Sequence, residues 1–258
     1  MKKVLLPVLA LCLCLTACAQ AAGPSEPLVE GVTPSDDSFA LDPQPGSSEV
    51  TTVNTLTGKA ARVSDSSLLV ACDNGDLVLL PSADLPPEVT AGCTVEIQYD
   101  GTKLETWPLQ LSNVAGVDFT AEGDDLVGLY LKVIDELWTT DAGLNPAEGT
   151  LVFDLDALTN LTAGEKQAIL YETWQKYGLE GRFGTFDSLV ADGVIDPEKP
   201  DFPDGMFIGF SDFKSSGDAF SFSAQKWRSA LGADFFGDCL AEKGPGGWTY
   251  NVGSRAAA

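Results

Sequence analysis

The sequence predicts an α+β protein: a small closed β-barrel over residues 50–119, then an α+β domain over residues 124–258 with helices packed on one face of a curved antiparallel sheet. Three observations predict it. Short strand-like runs separated by turn residues fill the first stretch, among them Asp73-Asn74-Gly75-Asp76, where Asn-Gly suits the positive φ of a tight hairpin. Apolar residues then recur at three- and four-residue steps from Leu126 to Trp138, the period of one buried helix face. Beyond two further helix signals, Ala219-Phe220-Ser221-Phe222-Ser223-Ala224 alternates as a half-buried strand, so helices precede a sheet.

Taken in order, residues 53–63 mix β-branched and small residues, and Ser67–Cys72 follows as a second strand. Leu77–Leu80 returns from the Asn-Gly turn, Pro81, Pro86 and Pro87 punctuate a loop, and Gly92–Tyr99 alternates as another strand. A turn at Asp100-Gly101 leads into a last strand from Leu104 to Val117, interrupted by Pro108. Asp124 is placed to cap the first helix. Leu151–Leu155 reads as a strand, and Thr162-Ala163-Gly164-Glu165 is a capping box opening a helix that Gly178 stops. Thr185 caps a short helix ended by Gly193. Met206–Phe210, Ala219–Ala224, the run from Lys226 to Ala241, and Trp248–Gly253 complete four antiparallel strands.

The residues that carry a family likeness are Gly58, Leu68-Leu69-Val70, Gly92 before Val95-Glu96-Ile97, and Tyr99-Asp100-Gly101 leading to Glu105-Thr106-Trp107-Pro108. On these the barrel resembles the OB-like modules of uncharacterised exported lipoproteins of Gram-positive bacteria. Lys226-Trp227-Arg228-Ser229 and the closing Trp248-Thr249-Tyr250 resemble the C-terminal halves of the same class. In order of elements alone, the second domain is loosely similar to cystatin-like and nuclear-transport-factor-like (NTF2-like) cones. The resemblance brings no catalytic residue with it.

The N-terminus supplies an address. Lys2 and Lys3 lead an apolar run from Val4 to Leu15 that closes on Leu15-Thr16-Ala17-Cys18. Residues 1–17 therefore read as a secretory signal. Its end resembles a bacterial lipobox, which implies a mature N-terminus at Cys18 carrying diacylglycerol and long acyl chains such as palmitate. Two such chains hold a soluble body at a membrane almost permanently. An ordinary signal cut elsewhere, or a short membrane helix, are the alternatives; the run is well below the roughly 20 residues a span needs. Residues 18–49, with Pro24, Pro27, Pro34, Pro43 and Pro45 among Gly, Ser and acids, read as a disordered tether. The expected location is the extracytoplasmic face of the cell membrane.

Composition removes several function classes. The chain of 258 residues carries 38 Asp plus Glu against 15 Lys plus Arg, a formal charge of −23. Such a surface repels phosphate backbones, so nucleic acid is not an expected partner. With no histidine, the usual Ser and Cys triads and most zinc sites are gone, and neither a metal nor a cofactor is expected. Of six cysteines, Cys72, Cys93 and Cys239 remain in the folded part. Cys72 and Cys93 are placed either to bridge across neighbouring strands or to stay as buried thiols.

Carboxylates are the abundant reactive groups. Asp154 with Asp156, and Asp234 with Asp238, share strand parity and are the pairs a glycoside hydrolase of the cell wall would draw on. In so acidic a chain such pairs arise by chance. Asp73, Asn74 and Asp76, and Asp201 with Asp204, lack the full oxygen set of a calcium loop and fit turn chemistry. The sharper candidate is Lys226-Trp227-Arg228, two cations flanking an indole, which could hold an anionic or sugar-like ligand on a concave sheet. The competing and commoner arrangement packs Trp227 in the core and pairs the two cations with acids. The expectation is a non-catalytic envelope protein that binds or scaffolds a small ligand or a protein; a wall hydrolase and a purely structural interaction module are the rivals.

Overall fold

Asn54–Val63 (β1) is the strand on which the first sheet is built, since it pairs with two others along its length. In the computed structural model, residues 53–81, 85–86 and 88–258 are described; the signal, Cys18 and the whole of the tether lie outside them. Ser67–Cys72 (β2) lies antiparallel to β1 on one side and Leu77–Pro81 (β3) follows it. Cys93–Tyr99 (β4) pairs with the other side of β1. The two-residue strands Lys103–Leu104 (β5) and Gln110–Leu111 (β6) form a small hairpin, and Val114–Gly123 (β7) closes the order β3-β2-β1-β4-β7. The sheet curls into a half-barrel, and a parallel bridge between Val78 and Leu109 ties β3 to the hairpin arm. Leu68, Val70, Cys72, Val78, Val95 and Ile97 fill its concave side.

β2 is apolar from Leu68 to Cys72 because both of its faces are covered. Leu68 and Val70 point into the half-barrel, whereas Leu69 and Ala71 join a second and larger core. That core is built by two helices. Leu126–Thr139 (α1) is capped by Asp125, whose carboxylate accepts from Gly128 N at 2.8 Å. The expected cap, Asp124, instead accepts from the Trp248 indole N–H at 2.6 Å and pairs with Lys59 and Lys243. The apolar stripe is buried as its period predicts, with Tyr130 at its centre against Phe210 and Phe222. Trp138 is only half-buried and stacks on Tyr177 at 4.2 Å. A short 3-10 turn at Ala142–Leu144 follows.

Thr150–Asp154 (β8), Ala163–Tyr177 (α2) and Glu180–Phe183 (β9) make a β-α-β unit in which β8 and β9 are parallel. The capping box is present: Glu165 N donates to Thr162 Oγ1 and Thr162 N to the Glu165 carboxylate. Gly178 ends α2 at φ 70°, a left-handed conformation that glycine adopts without a Cβ penalty. Phe186–Ala191 (α3) is capped by Thr185 as expected. Gly205–Ser216 (β10), Ala219–Ser229 (β11), Gly232–Gly244 (β12), Gly247–Asn251 (β13) and Ser254–Ala257 (β14) are antiparallel to their successive partners, with β14 returning to pair β12.

The second sheet differs from the expected one in two ways. It is mixed, because β10 is also parallel to β8, giving the order β13-β12-β11-β10-β8-β9. It is also covered on both faces. Leu151, Phe153, Met206 and Ile208 face α1 and α2, while the alternate residues Val152 and Phe207 face α3 together with Ile195 and Phe202. The mixed α/β architecture agrees with the predicted α+β class. Leu69, Ala71 and Leu77 of the first sheet share one core cluster with α1, α2 and a face of the second sheet.

Candidate functional site

The predicted cationic triplet is built into the scaffold. Lys226 lies on β11 directly across from Asp234 of β12, and its Nζ is 3.4 Å from that carboxylate. The residue is 0 % exposed. It donates to the carbonyl oxygens of Thr140 and Asp141 and to Asn145 Oδ1, so the ammonium closes the C-terminal end of α1 and the turn after it. That is the helix end where orphan carbonyls and the helix dipole favour a cation. Burial pulls the Lys226 pKa down, and the nearby Asp234 carboxylate works against it. Arg228 is used in the same way, donating to Leu144 O and Pro203 O, both at 3.0 Å. Trp227 points to the other face and meets Phe186 edge-on at 5.0 Å. The structure therefore splits the triplet across two faces and leaves no joint ligand surface among them.

The acid pairs are also separated or engaged. Asp234 is buried against Lys226, whereas Asp238 is exposed at φ 51° beside an irregularity in the β11–β12 register, which breaks the parity that four-residue spacing implies. Asp154 accepts the backbone N–H of Asp156 in a local turn, and burial pushes its pKa up. Asp76 takes an ion pair from Lys103 at 2.7 Å and a hydrogen bond from Asn74, while Asp73 accepts from Thr57. Cys72, Cys93 and Cys239 are free and buried. The considered Cys72–Cys93 bridge does not form because β1 runs between β2 and β4. Two inter-strand steps of about 4.8 Å exceed the roughly 7 Å Cα limit of a disulfide. Burial, with Asp76 adding to it, pushes the Cys72 thiol up to about 12.

One recess is lined by groups that the scaffold leaves unused. It is a groove of about 390 Å³ between the β5–β6 hairpin, α2 and β9, lined by Trp107, Gln167, Leu170, Trp174, Glu180 and Gly181. Its size falls within the roughly 300–1,000 Å³ range of small-molecule sites. Trp107 is 47 % exposed and Trp174 39 %, although both are large enough to reward burial. Their rings lie 5.9 Å apart at 39°, and Trp107 stands edge-on to the buried Tyr171 at 5.3 Å. Arg62 of β1 sits 6.0 Å from the Tyr171 ring and pairs with Glu172 at 3.2 Å, which braces this side of α2 from beneath.

Among the described residues, the side chains of Gln167 and Glu180 make no hydrogen bond or ion pair, their backbones being taken up in α2 and in the β8–β9 ladder. Both face the groove free to bind. β9 ends the sheet, so the groove runs beside an outer strand edge. The sequence alone does not bring this site together: Trp107 lies in the run Glu105-Thr106-Trp107-Pro108 and Trp174 in the helix that Gly178 stops, and their meeting depends on how the hairpin arm folds back over that helix. Compared with known proteins, the chain matches no family model, no curated protein and no solved structure.

Proposed function

We propose that this is a lipid-anchored protein of the extracytoplasmic membrane face that recognises an envelope ligand or partner and does not transform it. The observation that carries the reading is the leader: two lysines, an apolar run and Leu15-Thr16-Ala17-Cys18, the arrangement that directs export and acylation of the cysteine. In this reading the curled first sheet is an OB-like module. The sharing of β1 between β2 and β4 and the parallel Val78–Leu109 bridge support that assignment. A binding role draws support from the unused polar and aromatic groups of the groove, and from the commitment of Asp234 to an ion pair and of Asp154 to a turn, one member of each acid pair. The strongly acidic composition supports a partner that is neither nucleic acid nor an anionic lipid surface.

Labelling cells with an alkyne fatty acid tests the anchor. The wild-type chain is expected to take up the label and fractionate with membranes, and Cys18→Ala to lose both. Incubation with wall muropeptides tests the rest: product formation by the purified protein would replace recognition with hydrolysis.

A further inference from the structure

We propose that the groove formed by Trp107, Trp174, Gln167 and Glu180 is a binding site for an uncharged pyranose chain. The inference rests on the reading of the protein as an envelope binding module and names the ligand class of its site. Its first support is shape. Two indole faces, inclined at 39° and 5.9 Å apart, present broad flat apolar surface to solvent at the mouth of a groove of about 390 Å³. A pyranose ring is one of the few water-soluble groups with flat, C–H-rich faces matched to such planes, and its rim of hydroxyls demands polar partners alongside.

Those partners are present and unengaged. The Gln167 amide donates and accepts, and the Glu180 carboxylate accepts, so between them they satisfy hydroxyls in both senses. Charge then selects among ligands that stack on aromatics. Glu180 is the one ionisable side chain among the lining residues, and it sits on a chain of formal charge −23. A nucleotide or a phosphate-bearing polymer would be repelled, as no cation lines the groove to offset its phosphates. An apolar peptide side chain would leave the Glu180 carboxylate desolvated without a partner. A neutral sugar incurs neither cost.

The platform is also held in advance of binding. Trp107 is set by its edge-on contact with Tyr171, and Tyr171 is buried under it, with Arg62 and Glu172 completing the support. Preformed aromatic faces spare the ligand the ordering cost that flexible contact residues impose. Gly181 keeps the floor tight, because a Cβ there would lie 2.6 Å from Leu170 Cδ1.

The test uses the full-length chain in a detergent without a sugar headgroup. Tryptophan fluorescence and calorimetric titrations are run with chitotetraose, cellotetraose and, as the rival occupant, tetralysine. Saturable binding of at least one saccharide is expected, with a shift in indole emission. Trp107→Ala and Trp174→Ala should each weaken it by about tenfold or more, the loss expected at an aromatic anchor. Glu180→Gln keeps the fold and groove shape, and should weaken binding by about threefold to tenfold at unchanged melting temperature, as loss of a charged hydrogen-bond acceptor does. No saccharide binding at millimolar concentration, binding indifferent to all three substitutions, or binding of tetralysine in place of the sugars would overturn the assignment. Failure here with Cys18 still acylated would remove the sugar and leave the anchored module standing. Loss of acylation with saccharide binding intact would do the reverse.

Discussion

Lys226 is the residue whose role changes most between its sequence context and its place in the fold. An exposed lysine between two strand residues contributes little, but this one is fully buried and has Asp234, two carbonyl oxygens and Asn145 around its ammonium. Removing one member of such a group leaves the others buried without a partner, which typically costs about 3–5 kcal/mol. Lys226→Met is therefore expected to lower unfolding stability by about that amount in urea titration, while leaving any groove ligand's affinity unchanged. A loss below about 0.5 kcal/mol, the level of an ordinary surface substitution, would remove Lys226 from this role. Asp124 gives a prediction in pH. Burial pushes its carboxyl up, but the Trp248 N–H, Lys59 and Lys243 together outweigh burial and hold it below its usual range. The unfolded chain then takes up the proton first, near the ordinary Asp value of about 3.9. Stability from this group is full above that pH, declines as the pH falls toward the lower folded value, and is gone beneath it. Asp124→Asn should flatten the acid limb of the stability curve in that window, measured by urea midpoints at successive pH values; an unchanged slope would contradict the ion-pair account.

At the level of elements, α2 shows how local chemistry and tertiary packing divide the work. Both of its ends are written in the sequence: Thr162 with Glu165 at the start and Gly178 at the stop. Thr162→Ala is expected to cost about 1 kcal/mol, the typical worth of an N-cap. Gly178→Ala should cost about 1 kcal/mol as well, purely through its φ of 70°, since no atom lies within 4 Å of an added Cβ. Thermal unfolding of both variants checks this, and a neutral Gly178→Ala would mean the helix end relaxes. The Asn74-Gly75 hairpin and the α1 stripe were legible for the same reason, because they depend on residues within one or two turns of one another. β9 was not. Glu180-Gly181-Arg182-Phe183 carries no alternation of its own and becomes a strand because β8 offers it a free edge. The cap of α1 shows a subtler limit: Asp124 and Asp125 are equivalent by local rules, and the pull of Trp248, Lys59 and Lys243 on the first assigns capping to the second. The groove was hidden for the reason β9 was, since Trp107 and Trp174 meet through long-range placement that no periodicity records.

For the molecule as a whole, the important joint is the N-terminal turn of α2, which lies directly on β2. An added Cβ at Gly164 would stand 2.3 Å from Cys72 O and 2.8 Å from Cys72 N, so only glycine permits this approach. Beside it, buried Glu165 takes an ion pair from Lys59 of β1 at 3.1 Å, and Lys59 also reaches Asp124, which is tied in turn to Lys243 and Trp248. Leu69, Ala71 and Leu77 of the first sheet share one core with α1, α2 and the face of the second sheet. Two sheets that share a helix and a core cannot lose one without exposing the other's apolar face. The described body is thus expected to unfold in a single transition. Gly164→Ala should force α2 off β2 and lower stability by about 1–3 kcal/mol, the usual cost of overpacking a close contact. Because α2 serves both sheets, that loss should appear equally on each side of it. In native-state hydrogen exchange, the most protected amides of β2 and of β11 should fall by the same factor. A drop confined to β2, with β11 protected as before, would mean that the half-barrel and the second sheet fold as separate domains despite their common core.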